Sequence, residues 1–267
     1  MLAINSLTGT RTVNATTKYK RLTTSVIYLL FFFLSRIAAK NIQPLPSSLA
    51  LLRPVNVFPP NADTTFKFVD KSNGNKRAVS IADRKINSFP VFSTEVFAAS
   101  KSHYEIQTIW KTVAPVQKGD VLVARFSIRS DYAKQESGEA VVYFFVQQAS
   151  GAFDKSVILD ISAGPEWKAV DIPFIALSDM KAGDGAICFS YAALAQKVEI
   201  TTVQVLNFEQ SATLAQLPVT RFTYQGRKEN AIWRNKALER IEELRTAPIN
   251  IVVSDMKGRP VKEAQVR

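Results

Sequence analysis

The chain of 267 residues has little of what thiol, metal or phosphate chemistry needs: one cysteine, one histidine and ten glycines. The single cysteine, Cys188, excludes an intramolecular disulfide, and the single histidine, His103, leaves too few ligands for a histidine-rich metal site. No glycine-rich phosphate loop is found in the sequence. The composition, 46% hydrophobic and 21% charged, also excludes a disordered, fibrous or polytopic membrane protein. A globular protein remains.

Positive charge is the excess that suggests a partner, because the formal net charge is +11 and the pI is about 9.7. The excess is unevenly distributed. Residues 1–39 contain five basic and no acidic residues, residues 61–209 contain 16 basic and 17 acidic residues, and residues 210–267 contain 11 and 6. Since the largest block is nearly neutral, we expect no nucleic-acid partner.

The N-terminal 39 residues have the layout of a secretory signal peptide. The basic stretch Lys18–Arg21 precedes an apolar run from Leu22 to Leu34, and small residues at 35–39 follow. That run is shorter than the roughly 20 residues of a spanning helix. An uncleaved anchor or a buried helix remain the alternatives. We expect a secreted, periplasmic or cell-surface protein that contacts a membrane only through this segment, if it is uncleaved.

Short alternating segments separated by turn residues fill the middle of the chain. They are 66–69, 104–110, 121–129, 141–148, 157–161, 167–172, 186–191 and 198–208. Because no helical pattern intervenes, these eight or so strands predict an all-β antiparallel sandwich or barrel. The alternation directs Phe126, Ile128, Val142, Phe144 and Val146 towards the core.

The chain is predicted to have four parts. A signal peptide or anchor spans 1–39, a proline-rich spacer 40–60, the β-sandwich 61–210, and a helix with a β-hairpin 211–267. Apolar residues from Ile232 to Leu244 recur at helical spacing, and Pro248 ends that pattern. The hairpin strands are 249–253 and 260–266, joined by a turn at 256–259.

Four segments of the middle block resemble a known family. They are Val116–Arg129, Gly164–Lys168, Ile172–Phe174 and Gln196–Ile200. Their order and spacing resemble the galactose-binding-like β-sandwich of carbohydrate-binding modules, over about residues 60–210. The resemblance implies a jelly-roll sandwich and a polysaccharide partner. It brings no cofactor, although a structural calcium is plausible; Asp63, Asp70 and Asp160 are scattered and form no calcium-loop motif.

The segments Tyr224–Arg227, Ala231–Arg234 and Ala237–Arg245 are similar to the lead-in to the catalytic barrel of family 10 glycoside hydrolases. That family hydrolyses xylan with two glutamates, one of them in a Trp-Asn-Glu context. Here the residues after the three tryptophans are Lys111, Lys168 and Arg234. A barrel also needs about 250 residues. We therefore expect the N-terminal part of such an enzyme without its catalytic glutamates, and a barrel only in full-length relatives. Enzymatic activity in this chain stays uncertain and is not expected.

Sugar-binding modules stack sugar rings on aromatic side chains and fix the hydroxyls with planar polar groups. Strand alternation selects five candidate residues for such a carbohydrate site: Tyr104, Gln107, Arg129, Tyr143 and Gln147. An ordinary solvated sheet face is the competing interpretation. No catalytic or metal-binding residue is assigned.

The other residues with chemical potential receive structural interpretations. Trp110 ends a strand, with the core as its expected place and a sugar platform as the alternative. Trp167 is expected to pack in the core or a loop, and Trp233 to anchor the helix. His103 is expected on the surface, and Cys188 as a buried, unreactive thiol.

The sequence thus predicts an exported, non-catalytic module that binds xylan or a related β-glycan, from a xylanase-type hydrolase. The alternative is a structural or interaction sandwich that scaffolds an enzyme at the cell surface.

Overall fold

The computed structural model describes residues 43–71, 77–223, 226–227, 229, 231–245 and 251–264. The predicted signal segment lies outside the described residues. The strands are β1 (Val55–Asn56), β2 (Lys67–Asp70), β3 (Ala78–Ile86), β4 (Phe89–Val96), β5 (Ile106–Lys111), β6 (Val121–Ala133), β7 (Ala140–Gln148), β8 (Lys155–Ala163), β9 (Lys168–Ile175), β10 (Gly185–Ser190) and β11 (Gln196–Asn207). The α-helices are α1 (Ser47–Ala50), α2 (Ala62–Thr65) and α3 (Ile232–Arg245), and His103–Glu105 and Leu214–Gln216 form 3-10 turns.

These strands form two antiparallel sheets. One has the order β3-β4-β11-β6-β9, with β1 also paired to β11, and the other has the order β2-β5-β10-β7-β8. We call them the six-stranded and the five-stranded sheet. Their inner faces share one hydrophobic core. The predicted all-β sandwich is therefore confirmed.

The predicted alternation correctly identifies the core-facing side chains. Phe126 and Ile128 on β6, and Val142, Phe144 and Val146 on β7, are all 0–1% exposed within that core. Trp110 lies at its centre, and its Nε1 donates a hydrogen bond to the Ala62 carbonyl at 3.0 Å. Burying an aromatic or aliphatic side chain of this size stabilises the fold by about 1.5–3 kcal/mol. The core alone therefore accounts for a fold without disulfides.

The predicted spacer contains structure that belongs to the sandwich. Its second half contributes β1, and Val57 and Phe58 are buried in the main core. Leu49 of α1 packs in a separate cluster with Phe208 and Leu217. The sandwich therefore begins before residue 61, because β1 pairs with β11 and these apolar residues are buried against the rest of the domain.

Sequence patterns missed three strands: β1, β3 and β4. Consecutive charged residues at 83–85 and a register shift between Ile81 and Arg84 interrupt the alternation of β3. Pro90 lies inside β4, where a proline ordinarily argues against a strand. The position of β3 at the edge of its sheet allows its outward charges to stay hydrated.

The C-terminal part contains the predicted helix. Helix α3 runs from Ile232 to Arg245, and Trp233 Nε1 donates a hydrogen bond to the Gly226 carbonyl at 2.9 Å. Gly226 in turn donates its N–H to Glu139 of the β6–β7 loop at 3.0 Å. Trp233 thus fastens the start of the helix near the sandwich. The predicted reversal at 256–259 is present as an isolated Ser254–Pro260 bridge, although the described residues there form no strands.

Within the described part of the chain, no helix is long and apolar enough to cross a membrane.

Candidate functional site

An open groove lies on the outer face of the five-stranded sheet, and its volume is about 620 Å³. We call it the outer groove. It is lined by Lys67, Val69, Lys71, His103, Tyr104, Gln107, Ile109, Lys111, Phe145, Gln147, Ala149, Phe153, Lys155 and Ala186. This volume is in the range of small-molecule sites, which is roughly 300–1,000 Å³.

Strand register builds the floor of the groove. Ile109 on β5 lies opposite Cys188 on β10, and Cys188 lies opposite Phe145 on β7. These residues, with Ala186, form a small apolar cluster outside the main core. The next register position aligns Lys111, Ala186 and Gln147 across the same strands. The floor is therefore apolar and narrow, with polar side chains at its borders.

Two aromatic rings stand at opposite ends of the groove. Tyr104 precedes the first residue of β5, whereas Phe153 follows the last residue of β7, and both strands run antiparallel to β10. Each side chain is 49% exposed. Phe153 has a backbone φ of 57°, in the left-handed region that non-glycine residues rarely adopt. About half of each residue is therefore open to solvent, and Lys71 Nζ lies over the Tyr104 ring.

His103 forms part of the wall through ring stacking. Its ring lies 4.2 Å from that of Tyr143, centroid to centroid and nearly parallel, and meets Tyr104 edge-on at 5.6 Å. Burial lowers the pKa of His103, and the positive charge of Lys155 lowers this pKa further. Both effects favour the neutral imidazole. Within the described residues, its buried Nδ1 has no hydrogen-bond partner.

The structure brings together four of the five predicted site residues. Tyr104, Gln107 and Gln147 line the outer groove, and Tyr143 supports it from behind His103. The Gln107 side-chain amide donates to the Tyr104 carbonyl at 2.7 Å, which fixes the loop to the strand. Within the described residues, no hydrogen bond is found for the Gln147 side chain, so its amide is free to bind a ligand.

The prediction that Arg129 shares this face is wrong. Arg129 lies on β6 of the six-stranded sheet, where its Nε donates to Glu199 Oε2 at 2.6 Å and its guanidinium also pairs with Asp131 at 3.3 Å. The same guanidinium stacks over Trp167 at 5.2 Å. Alternation correctly turned Arg129 away from the core, but it could not show that β6 and β7 belong to different sheets.

Several groove residues were not among the predicted site residues. The sequence predicts His103 on the surface and gives no site role to Phe153 or to the four lysines. Lys67 and Lys71 flank Val69 at alternate positions on and just after β2, a pattern that could have placed them on one face. Phe153 follows a turn at Gly151, and no sequence pattern marks it.

The tryptophans and the cysteine have structural roles. Trp110 is a core residue, 0% exposed, so it forms no sugar platform. Trp167 is 8% exposed and packs with Ile86 and Val91, as expected of a core or loop residue. Cys188 is fully buried in the groove floor, and this burial raises the pKa of its thiol to about 12. A thiol of this kind is unreactive at neutral pH.

A second cavity of similar volume, about 620 Å³, lies on the outer face of the six-stranded sheet. Arg125 is the charged residue among its described lining residues. Its guanidinium already pairs with Asp171 at 2.6 Å and donates to the Gln43 carbonyl at 2.6 Å. Because that group holds the N-terminal segment in place, this cavity offers a ligand less than the outer groove does.

No group of three metal-ligating side chains occurs within the described ranges. The three aspartates considered for calcium lie apart. Asp63 pairs with Lys85 at 3.3 Å, Asp70 accepts the N–H groups of Arg77 and Ala78, and Asp160 lies on β8. A structural calcium remains a prediction, and these residues do not converge on one site.

No protein-family model matches the sequence, and no curated protein matches it. Three of the solved structures to which the chain is similar are carbohydrate-binding domains. A family 4 carbohydrate-binding module is 10% identical, with a TM-score of 0.42 over 55% of this chain and 89% of its own. The xylan-binding domain CBM22-1 of Paenibacillus barcinonensis Xyn10C is 8% identical, with a TM-score of 0.40 over 58% of this chain and 96% of its own. The N-terminal cellulose-binding domain of Cellulomonas fimi β-1,4-glucanase C is 16% identical, with a TM-score of 0.36 over 54% of this chain and 94% of its own.

Proposed function

We propose that the chain binds a polysaccharide in the outer groove. The observation that carries this proposal is the pair of half-exposed rings, Tyr104 and Phe153, at the two ends of an open groove. An open groove accepts a chain that continues beyond both ends, whereas a closed cavity accepts only a small molecule. The geometry therefore favours an extended ligand.

The lining suits the chemistry of sugars. The C–H face of a pyranose ring can stack on the exposed faces of Tyr104 and Phe153, and such aromatic contacts combine apolar burial with specific geometry. Between them, the Gln147 amide can both donate to and accept from hydroxyl groups. The apolar floor at Ile109 and Phe145 excludes water beneath the bound ring.

The groove supports binding rather than cleavage. Glycoside hydrolysis ordinarily requires two carboxyl groups on either side of the scissile bond. Among the described residues that line the groove, none is an aspartate or a glutamate. The groove is therefore suited to holding a chain.

We further propose that the ligand is a plant-type β-glycan such as xylan, and that the module precedes the barrel of a xylanase-type hydrolase. The resemblance of residues 224–245 to the lead-in of such barrels supports that context. Export follows from the signal-like segment at 1–39. These proposals concern the setting of the module, and the groove itself supports only the binding.

Affinity gel electrophoresis of the full chain on a panel of soluble polysaccharides tests the binding. We expect retardation by at least one of them, and about tenfold weaker binding when Tyr104 is changed to Ala or Phe153 to Asn, because an aromatic contact is worth about 0.5–1.5 kcal/mol beyond its area. Asn tolerates the left-handed backbone at position 153.

Tyr132→Ala is the matched control, since Tyr132 is a 42% exposed tyrosine on β6 of the opposite sheet. Its removal should leave the binding unchanged. Absence of retardation on every polysaccharide would overturn the proposal and favour the scaffold alternative. Equal losses in all three variants would show that the outer groove is not the site.

A further inference from the structure

The outer groove carries an uncompensated positive charge. Lys67, Lys71, Lys111 and Lys155 line it, and its described lining residues include no carboxylate. The block that forms the sandwich is nearly neutral overall, with 16 basic and 17 acidic residues between 61 and 209. The positive charge of the groove is therefore a local concentration, which a net-charge count conceals.

Among the four ammonium groups, only that of Lys155 has a hydrogen bond within the described residues: its Nζ donates to the Phe153 carbonyl at 3.5 Å. Within the described residues, none of them forms a salt bridge, whereas Arg84, Arg125 and Arg129 of the other sheet each pair with a carboxylate. Lys71 Nζ lies 5.4 Å from the centre of the Tyr104 ring, and Lys155 Nζ lies 5.7 Å from that of Phe145. These contacts hold the amines over the groove without neutralising them.

The lysines lie along the borders of the groove and leave its centre neutral. Strand register aligns Lys111, Ala186, Gln147 and Lys155 across four neighbouring strands. Three strand spacings of about 4.8 Å separate the backbones of the two lysines by about 14 Å. Lys67 lies on β2, the edge strand opposite β8, and Lys71 follows the last residue of β2. A ring stacked between the borders would direct its substituents towards these amines.

We propose that the outer groove selects polysaccharides that carry anionic substituents, either uronate carboxylates or sulfate esters. This inference rests on the proposed function and names its ligand class. A neutral glycan displaces water from the four ammonium groups and offers only hydroxyl groups in return. An anionic glycan supplies charge-assisted hydrogen bonds to the same groups.

Isothermal titration calorimetry on the full chain, with matched pairs of ligands, tests the selectivity. One pair is a glucuronate-bearing xylo-oligosaccharide and the same oligosaccharide after reduction of its carboxyl groups, and the other is a sulfated xylo-oligosaccharide and its unsulfated form. We expect at least one anionic member to bind about tenfold more tightly than its neutral partner, since each surface ion pair contributes up to about 1 kcal/mol. The preferred pair distinguishes carboxylate from sulfate.

Salt and charge variants separate this effect from other contacts. Affinity for the anionic ligand should fall between about 0.1 M and about 1 M NaCl, where the screening length drops from about 10 Å to about 3 Å. The double variant Lys67→Gln/Lys111→Gln should lose about tenfold on the anionic ligand and nothing on the neutral one. Lys118→Gln, at an exposed lysine outside the groove, should change neither.

The outcomes distinguish the two proposals. Equal, salt-insensitive binding of both members of each pair would overturn the charge selectivity and leave polysaccharide binding in place. Binding of poly-glutamate as tightly as of the anionic glycan would also overturn it, because the groove would then recognise charge without sugar. If no polysaccharide binds, both proposals are wrong.

Discussion

Changing Arg129 to Ala should weaken the fold and leave the outer groove unaffected. The substitution removes the bond from Arg129 Nε to Glu199 Oε2 and the pairing with Asp131, and it uncovers Trp167. Glu199 is only 5% exposed in its side chain, so water cannot replace the lost donor well. Arg84 remains as a partner of Glu199 and limits the damage.

The magnitude follows from these contacts. A hydrogen bond to a charged group contributes about 1.5–3 kcal/mol, and the cation–π contact about 0.5–1 kcal/mol. Because the Arg129 side chain is 22% exposed, part of the electrostatic contribution is screened. We expect a loss of about 1–3 kcal/mol in the free energy of unfolding, or roughly 2–12 °C in Tm for a domain of this size.

Urea unfolding measures the free energy of unfolding. Affinity for a polysaccharide that retards the wild type in the gel assay shows whether the outer groove is unaffected. Arg129→Lys keeps the charge but cannot form the two-pronged contact, so it should recover only part of the stability. A stability loss below about 0.5 kcal/mol would refute the structural role. A tenfold loss of polysaccharide affinity in a fully folded Arg129→Ala variant would refute the assignment of binding to the other sheet.

Three further predictions concern single positions in or beside the five-stranded sheet. Gly185→Ala should destabilise the fold by about 1–3 kcal/mol in urea unfolding, because the added Cβ would lie 2.6 Å from Thr112 Cγ2. Gly164→Ala is the control and should change the stability little, because no atom lies within 4 Å of its added Cβ. Cys188 should react with a thiol reagent at pH 8 only after unfolding in urea, since burial raises the pKa of its thiol to about 12. Rapid labelling of the native protein would contradict this burial. The third concerns His103, whose folded pKa lies below its ordinary value. The stability this confers is present above about pH 6.5 and is lost as the pH falls, so the wild type should lose more stability between pH 7.5 and pH 5 than His103→Phe does.

The fold was predictable because its main determinant is local. Period-two alternation on β6 and β7 identifies the inward side chains from single strands, and burial then enforces it. The same rule fails for β3, because charged residues at an edge remain hydrated without alternating. The rule also fails for β4. Pro90 argues against a strand there, yet β4 pairs with β3 at this position.

The site was only partly predictable because its membership is non-local. Tyr104, Gln107 and Gln147 meet only because β5 and β7 both pair with β10, a connection that no single strand reveals. Alternation gave Arg129 the same outward direction as Tyr143, but sheet order separates them. Phe153 enters through a loop with a left-handed residue, which carries no periodic pattern at all.

The two outer faces of the sandwich use charge in opposite ways. On the six-stranded sheet, Glu199 and Asp171 receive arginines, so positive charge is neutralised by planar, multiply bonded contacts that stabilise the fold. On the five-stranded sheet, lysines extend as flexible amines over a neutral floor and remain available to a ligand. A buried ion pair fixes one geometry, so a network of arginines and carboxylates would fill the outer groove. Hydrated lysine side chains can instead move aside when a polysaccharide chain binds. Paired charges on one sheet and unpaired lysines in the outer groove of the other therefore separate the stability of the fold from the proposed binding of a ligand.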